Sequence, residues 1–151
     1  MSTGDRLTVE QHKQRAAAHL EVANRLLESD EEWAVVPLFY TAYHFVKAAM
    51  LADPVFDDPT RLSRFNASLT MEDRYSDIHQ GRMAKGQRER WGVKDIVAVL
   101  YKPIYASYEL LHLASTDVRY GRGLVVGSPS EADEALTRIY EAYERGAIVA
   151  P

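Results

Sequence analysis

Tyr40, Tyr43, His44 and Lys47 lie three and four residues apart in the otherwise apolar stretch FYTAYHFVKAAML, Phe39 to Leu51. That spacing stacks side chains on one side of a helix, so phenol, imidazole and ammonium groups would meet there. Such a row is either an internal hydrogen-bond network, because buried polar groups must be paired, or a site in which His44 acts as acid or base near neutral pH. His12 and His19 lie seven apart beside a second apolar stripe. Two turns separate them, too far for one metal ion without further ligands, so they read as helix-interface positions. His112, between Leu111 and Leu113, reads as packing, and so does the run Tyr101, Tyr105, Tyr108. The absence of cysteine excludes disulfides, thiolate metal sites and Cys nucleophiles. Glu109, Asp117 and Asp133 lack the paired spacing that two-carboxylate hydrolysis requires. GRGLVVG, Gly121 to Gly127, lacks the Lys-Ser/Thr ending of a phosphate loop. No metal and no cofactor are expected.

A second constellation is basic. From Arg61 to Lys94 the chain carries eight Lys or Arg against four Asp or Glu, a net +4 segment in a protein of net charge −4. A basic patch on an acidic body suits nucleic acid, an acidic partner or a self-complementary dimer. Within GRMAKGQRERWGVK, the residues Arg82, Lys85, Arg88, Arg90 and Trp91 are the candidate ligand contacts. An exposed Trp91 amid arginines would stack a base. A buried one would anchor the following helix to the core. Otherwise the stretch reads as a solvated basic loop.

These side chains need helices to hold them. Thr8 with Gln11 forms a capping box before the stripe Val9, Ala16, Leu20, Ala23 and Leu27, which predicts a helix over about 9–28. Ser29 with Glu32 starts a second over about 30–52, with Pro37 inside it and Asp53-Pro54 ending it. Asp58 and Pro59 open a short helix. Thr70 would cap another across MEDRYSDIHQGRM. A long pattern from Val93 to about Ser115 must bend at Pro103. Ser128, Pro129 and Glu131 start the last helix, which Gly146 stops. No alternating strand pattern exceeds LVV. The reading is one all-α domain over 1–151, a bundle of about five helices. The second helix is apolar on most sides, so it lies at the centre of a bundle or under a dimer interface. At 46% hydrophobic and 26% charged the composition is that of an ordinary globular protein. With no apolar signal core and no apolar run of spanning length, a cytoplasmic location and no membrane partner are expected.

The stretch PLFYTAYHFVKAAMLAD resembles the second helix of the HEPN family (higher eukaryote and prokaryote nucleotide-binding domains), in its aromatic pair, small residue, aromatic and His. ELLHLASTDVRYG followed by SPSEADEALTRIYEAYERGA is similar to the family's closing pattern, an Arg near Tyr-Gly, a loop and a capped final helix. The resemblance covers about 50 residues. It implies a HEPN-like bundle, a homodimer, and a link to RNA cleavage or nucleotide binding in toxin–antitoxin and defence systems. A nucleotidyltransferase-like antitoxin is then a candidate partner. Ribonuclease members carry Arg, four to six residues, then His. Here Arg74 and His79 in RYSDIH match, as do Arg6 and His12, whereas Arg119 in the closing pattern has no His after it. In such a pair Arg stabilises charge on the scissile phosphate and His transfers the proton. Three functions follow: an RNA-, nucleotide- or partner-binding module without intrinsic catalysis; a metal-independent endoribonuclease using Arg74 and His79; and a structural homodimer whose partner sets the function. In the first, Tyr40, His44, Lys47 and Arg119 form an internal polar network.

Overall fold

In the computed structural model, residues 6–84, 87–121 and 123–151 are described, with side chains described outside 82–89. The first helix, α1 (Val9–Ser29), opens on the expected box: Gln11 N–H donates to Thr8 Oγ1 at 3.1 Å and Thr8 N–H to Gln11 Oε1 at 2.8 Å. Its end and the start of α2 (Glu31–Ala52) meet at one residue. Asp30 donates its N–H to the Leu26 carbonyl, and its Oδ1 accepts from Trp33 N–H at 3.3 Å. The cap is therefore Asp30 and not Ser29, whose hydroxyl is taken by the Arg25 carbonyl at 3.2 Å.

Helix α2 is the axis of the bundle. It packs against α1, against α5 (Lys102–Arg119) and α6 (Pro129–Glu144), and more lightly against α4 (Val93–Leu100). Val35, Leu38, Phe39, Ala42, Val46 and Met50 are fully buried, in one core with Ile96, Leu100, Tyr108, Leu111 and Ile139. The central placement needs no second chain, so the apolar girth of α2 alone does not require a dimer. One expectation is corrected here. Helix α2, 22 residues long with a window of mean hydropathy 1.3, does reach the length and composition of a membrane span, yet 78% of that window is buried inside the fold. Burial on all sides gives a core helix that same apolar composition. The helix runs unbroken through Pro37, and Thr41 Oγ1 donates to the Pro37 carbonyl at 2.8 Å.

Asp53 ends α2 and ties three parts of the chain together. It is 2% exposed, and its carboxylate accepts from Val55 N–H, from Tyr101 Oη and from Ala150 N–H, each at 2.9 Å. A 3-10 turn (Pro54–Asp57), not expected from the sequence, leads to α3 (Pro59–Phe65), which Asp58 caps as expected. The long pattern from Val93 is two helices, because Tyr101 leaves helical geometry at φ −124° and ψ 48° to reach Asp53. Pro103 then sits in the first turn of α5, where its missing N–H has no partner to lose. Helix α6 begins at Ser128 and Pro129 and closes on Gly146 at φ +69°, as the sequence predicts.

Two expectations fail in the middle of the chain. The Thr70–Asp73 box forms, but only a 3-10 stretch (Met71–Tyr75) follows it. The next carbonyls are captured by α2: Ser76 O accepts from Lys47 Nζ and Asp77 O from Tyr43 Oη at 3.3 Å. The basic segment is a β ribbon in place of a loop, with β1 (Arg82–Ala84) antiparallel to β2 (Gln87–Arg90) and Arg82 opposite Arg90. Its neck is tight. A Cβ on Gly81 would overlap the Arg90 carbonyl, and one on Gly92 would come within 2.6 Å of Gln80 Cα. The N–H groups of Gly81 and Gly92 both donate to Asp95 Oδ2, at 2.7 and 3.0 Å.

Candidate functional site

All five histidines of the chain lie along one aromatic seam centred on α2. At one end His12 of α1 meets His44 of α2, Nδ1 to Nδ1 at 2.9 Å. One imidazole must donate and the other accept, so the rings hold opposite tautomers. His19 stacks on His44 at 5.4 Å between centroids, inclined by 9°. Tyr43 joins this group to the next, lying 5.1 Å from His44 and 5.2 Å from His79. At the far end His79 and His112 are 5.5 Å apart, both against Phe39.

Burial, with cations nearby, keeps these rings neutral. Burial and then Lys47 and Arg15 lower His12 to about 4. Burial, then the neighbouring His12 and His19, lower His44 to about 3. Burial, then Lys94 and His79, lower His112 to about 4. His19 and His79 are lowered too, by burial first and then by Arg15 and Arg119 respectively. Lys47, 5% exposed, is lowered to about 8 by burial, against the pull of Asp77.

The four residues expected to form an internal network make three separate contacts. Arg119 Nη1 donates to Tyr40 Oη at 3.1 Å, and its guanidinium lies 5.8 Å from the Tyr40 ring. Lys47 reaches the Ser76 carbonyl, and His44 pairs with His12. Arg74 and His79, six positions inclusive in the sequence, make contacts with different groups. Arg74 is tied to Asp57 Oδ1 at 2.6 Å and to the carbonyls of Leu51 and Asp53 at 3.1 and 3.0 Å, below the C-terminus of α2. The arginine whose charge bears on His79 and His112 is Arg119. Near it, four buried atoms, His79 Nδ1, His112 Nδ1, Tyr108 Oη and Ser115 Oγ, have no hydrogen-bond partner among the described residues.

Of the five candidate ligand contacts, the side chains of Arg82, Lys85 and Arg88 lie outside the described residues. Arg90 is exposed. Trp91 takes the anchoring one of its two expected roles: it is 4% exposed, and its Nε1–H donates to Ser68 Oγ at 3.0 Å. A buried indole has no free face for a base. Arg6 and Tyr75 belong to the site without having been singled out as a pair; the guanidinium lies 3.9 Å above the ring, and Arg6 pairs with Glu72 at 3.3 Å.

Two adjoining hollows open beside these residues. One, of about 140 Å³, is lined by Arg6, His12, Tyr43, His44, Lys47, Tyr75 and Asp77, with Leu7 and Leu51. The other, of about 240 Å³, shares Arg6, Tyr75 and Asp77 with it, is lined also by Glu72, Asp73 and Ser76, and extends to Arg90 and Trp91 at the base of the ribbon. Among the described residues no three His, Asp or Glu side chains are placed to share a metal ion. No protein-family model, curated protein or solved structure matches this chain.

Proposed function

We propose that this chain is a HEPN-like module that binds RNA or a nucleotide, acts in a stress or defence system of the toxin–antitoxin kind, and has no intrinsic catalysis. The supporting observation is the continuity of the arginine-rich ribbon with the cleft at its base, where Arg90 and an Arg6–Tyr75 stack share the lining with Glu72, Asp73 and Asp77. Phosphate contacts from such a surface release counterions, so binding of single-stranded RNA weakens steeply with salt. Replacing Arg88 and Arg90 together by Ala is expected to lower affinity about tenfold and flatten the log–log salt slope by roughly 1.4, at about 0.7 per contact. Fluorescence anisotropy across a salt series reads both. Unchanged binding in the double variant would place the RNA elsewhere, and no binding by the parent would favour a protein partner such as a nucleotidyltransferase-like antitoxin. A homodimer belongs to this proposal.

A second reading, a metal-independent endoribonuclease, draws on the contact between His79 and His112 and on the charge of Arg119, which acts on both. Arg74, the sequence candidate, is fixed to Asp57 and two carbonyls. Under the first reading the purified chain leaves RNA intact. Metal-free cleavage that falls about a hundredfold or more in His79→Ala and in Arg119→Ala would put the second reading first.

A further inference from the structure

Lys47 poses an electrostatic problem. The residue is 5% exposed, lines the 140 Å³ hollow and donates to the Ser76 carbonyl, yet no carboxylate lies within ion-pair distance of it among the described residues. Lysines this buried are ordinarily matched by an anion. Arg6 faces the same hollow, and Arg15 of α1 adds its field to His12, His19 and His44. The opposing acids are Asp77, exposed at the rim, and Glu72, whose side chain is 76% exposed and whose pair with Arg6 is a surface contact of little strength. Tyr43 and Tyr75 complete the polar lining. The hollow thus holds two cations, Lys47 and Arg6, against one lining carboxylate, Asp77, which is exposed.

We infer that this hollow seats a terminal phosphate monoester, the end group of a phosphorylated RNA or of a mononucleotide. The inference rests on the RNA- or nucleotide-binding reading above and assigns that ligand a second point of attachment. Size selects the group. At about 140 Å³ the hollow has room for a phosphate head and lies below the about 300–1,000 Å³ of sites that take whole drug-sized ligands. The nucleoside then occupies the 240 Å³ cleft, which shares Arg6 and Tyr75 and leads to Arg90. A phosphate inside a chain must enter and leave, whereas a terminal one enters once and brings a charge of about −1.5 to −2. That anion opposes the field of Lys47 and Arg15 on the His12–His44 pair, so its entry favours a proton on one of the two rings.

The test compares three RNAs of one sequence, bearing a 5′-phosphate, a 3′-phosphate or only hydroxyl ends, together with adenosine monophosphate and inorganic phosphate, on the full chain. At least one phosphorylated RNA is expected to bind about tenfold tighter than the hydroxyl-ended one, as charge-assisted contacts to Arg and Lys imply. Arg6→Gln and Lys47→Gln should each remove that preference, with circular dichroism confirming the helical fold. Arg6 lies at the rim, so its variant remains informative should Lys47→Gln fail to fold. Imidazole NMR signals of His12 and His44 should move toward the protonated positions on binding at pH 7. Equal binding of all three RNAs, with histidine signals unmoved by adenosine monophosphate, overturns the inference and leaves RNA binding at the ribbon standing. Histidine shifts with adenosine monophosphate but no binding of any RNA uphold the hollow and overturn the RNA reading.

Discussion

Acidification from about pH 7 to about pH 4.5 is expected to lower the thermal midpoint by roughly 10 °C or more. The sign follows from the histidines. Each is near 6.5 in the unfolded chain, whereas His12 and His112 fall to about 4 and His44 to about 3 in the fold. Between those limits the unfolded state holds protons that the native state does not. The stability these rings contribute is fully present above about pH 6.5 and is lost as the pH falls toward the folded values, at about 1.4 kcal/mol per pH unit for each ring that titrates. The window lies mostly above that of ordinary carboxylates, so the two contributions separate. Replacing His12 and His44 together by Leu removes donor and acceptor at once, which is far milder than orphaning one of them, and should flatten the profile. Melts at fixed ionic strength over this range decide the matter; a midpoint that does not move with pH would mean that the rings take up protons in the native state as they do in the unfolded chain.

The largest effect of a single substitution is expected at Asp53. Asp53→Ala withdraws the acceptor from Val55 N–H, Tyr101 Oη and Ala150 N–H and leaves all three buried without it. Hydrogen bonds to a charged group contribute about 1.5–3 kcal/mol each and do not simply add, so a loss of roughly 3–5 kcal/mol is expected. That is a large part of the about 5–15 kcal/mol that holds a domain together. Tyr101→Phe removes one bond and keeps the other two, so it should fall near the lower single-bond figure. Urea midpoints compare the two variants; an Asp53→Ala loss below about 1 kcal/mol would show that the three contacts are exchanged for water without penalty.

What the sequence disclosed follows the range of the cause. Thr8, Asp58 with Pro59, and Ser128 with Pro129 act on backbone groups a few residues away, and the helices they start stand where expected. Asp30 caps α2 in place of Ser29, whose hydroxyl turns back to the Arg25 carbonyl, an alternative no spacing rule records. The ribbon depends on Gly81 and Gly92 crossing closely and sharing Asp95, a tertiary arrangement hidden in a sequence of arginines. Trp91 went inside because Ser68 offers an acceptor 23 positions away. The polar row on α2 was legible from its own spacing. Its meeting with every other histidine was not, since His12 and His44 are 32 positions apart and meet only through the packing of α1 on α2. The available signal was that His12 and His19 flank the buried stripe of α1, which turned both rings toward α2.

The single-residue corner at Asp30 also bears on the order in which the molecule assembles. Helices joined by one residue close with almost no loop, so α1 and α2 form an antiparallel hairpin from contacts near in sequence, the class that forms fastest. The bond between Asp53 and Ala150 spans 97 positions and that from Arg61 to Pro151 spans 90, so the chain's end is recruited only after long loops have closed. The histidine pair belongs to the early hairpin and the Asp53 knot to the late closure. Substitutions at His12 or His44 should therefore appear in the refolding rate, and those at Asp53 chiefly in the unfolding rate.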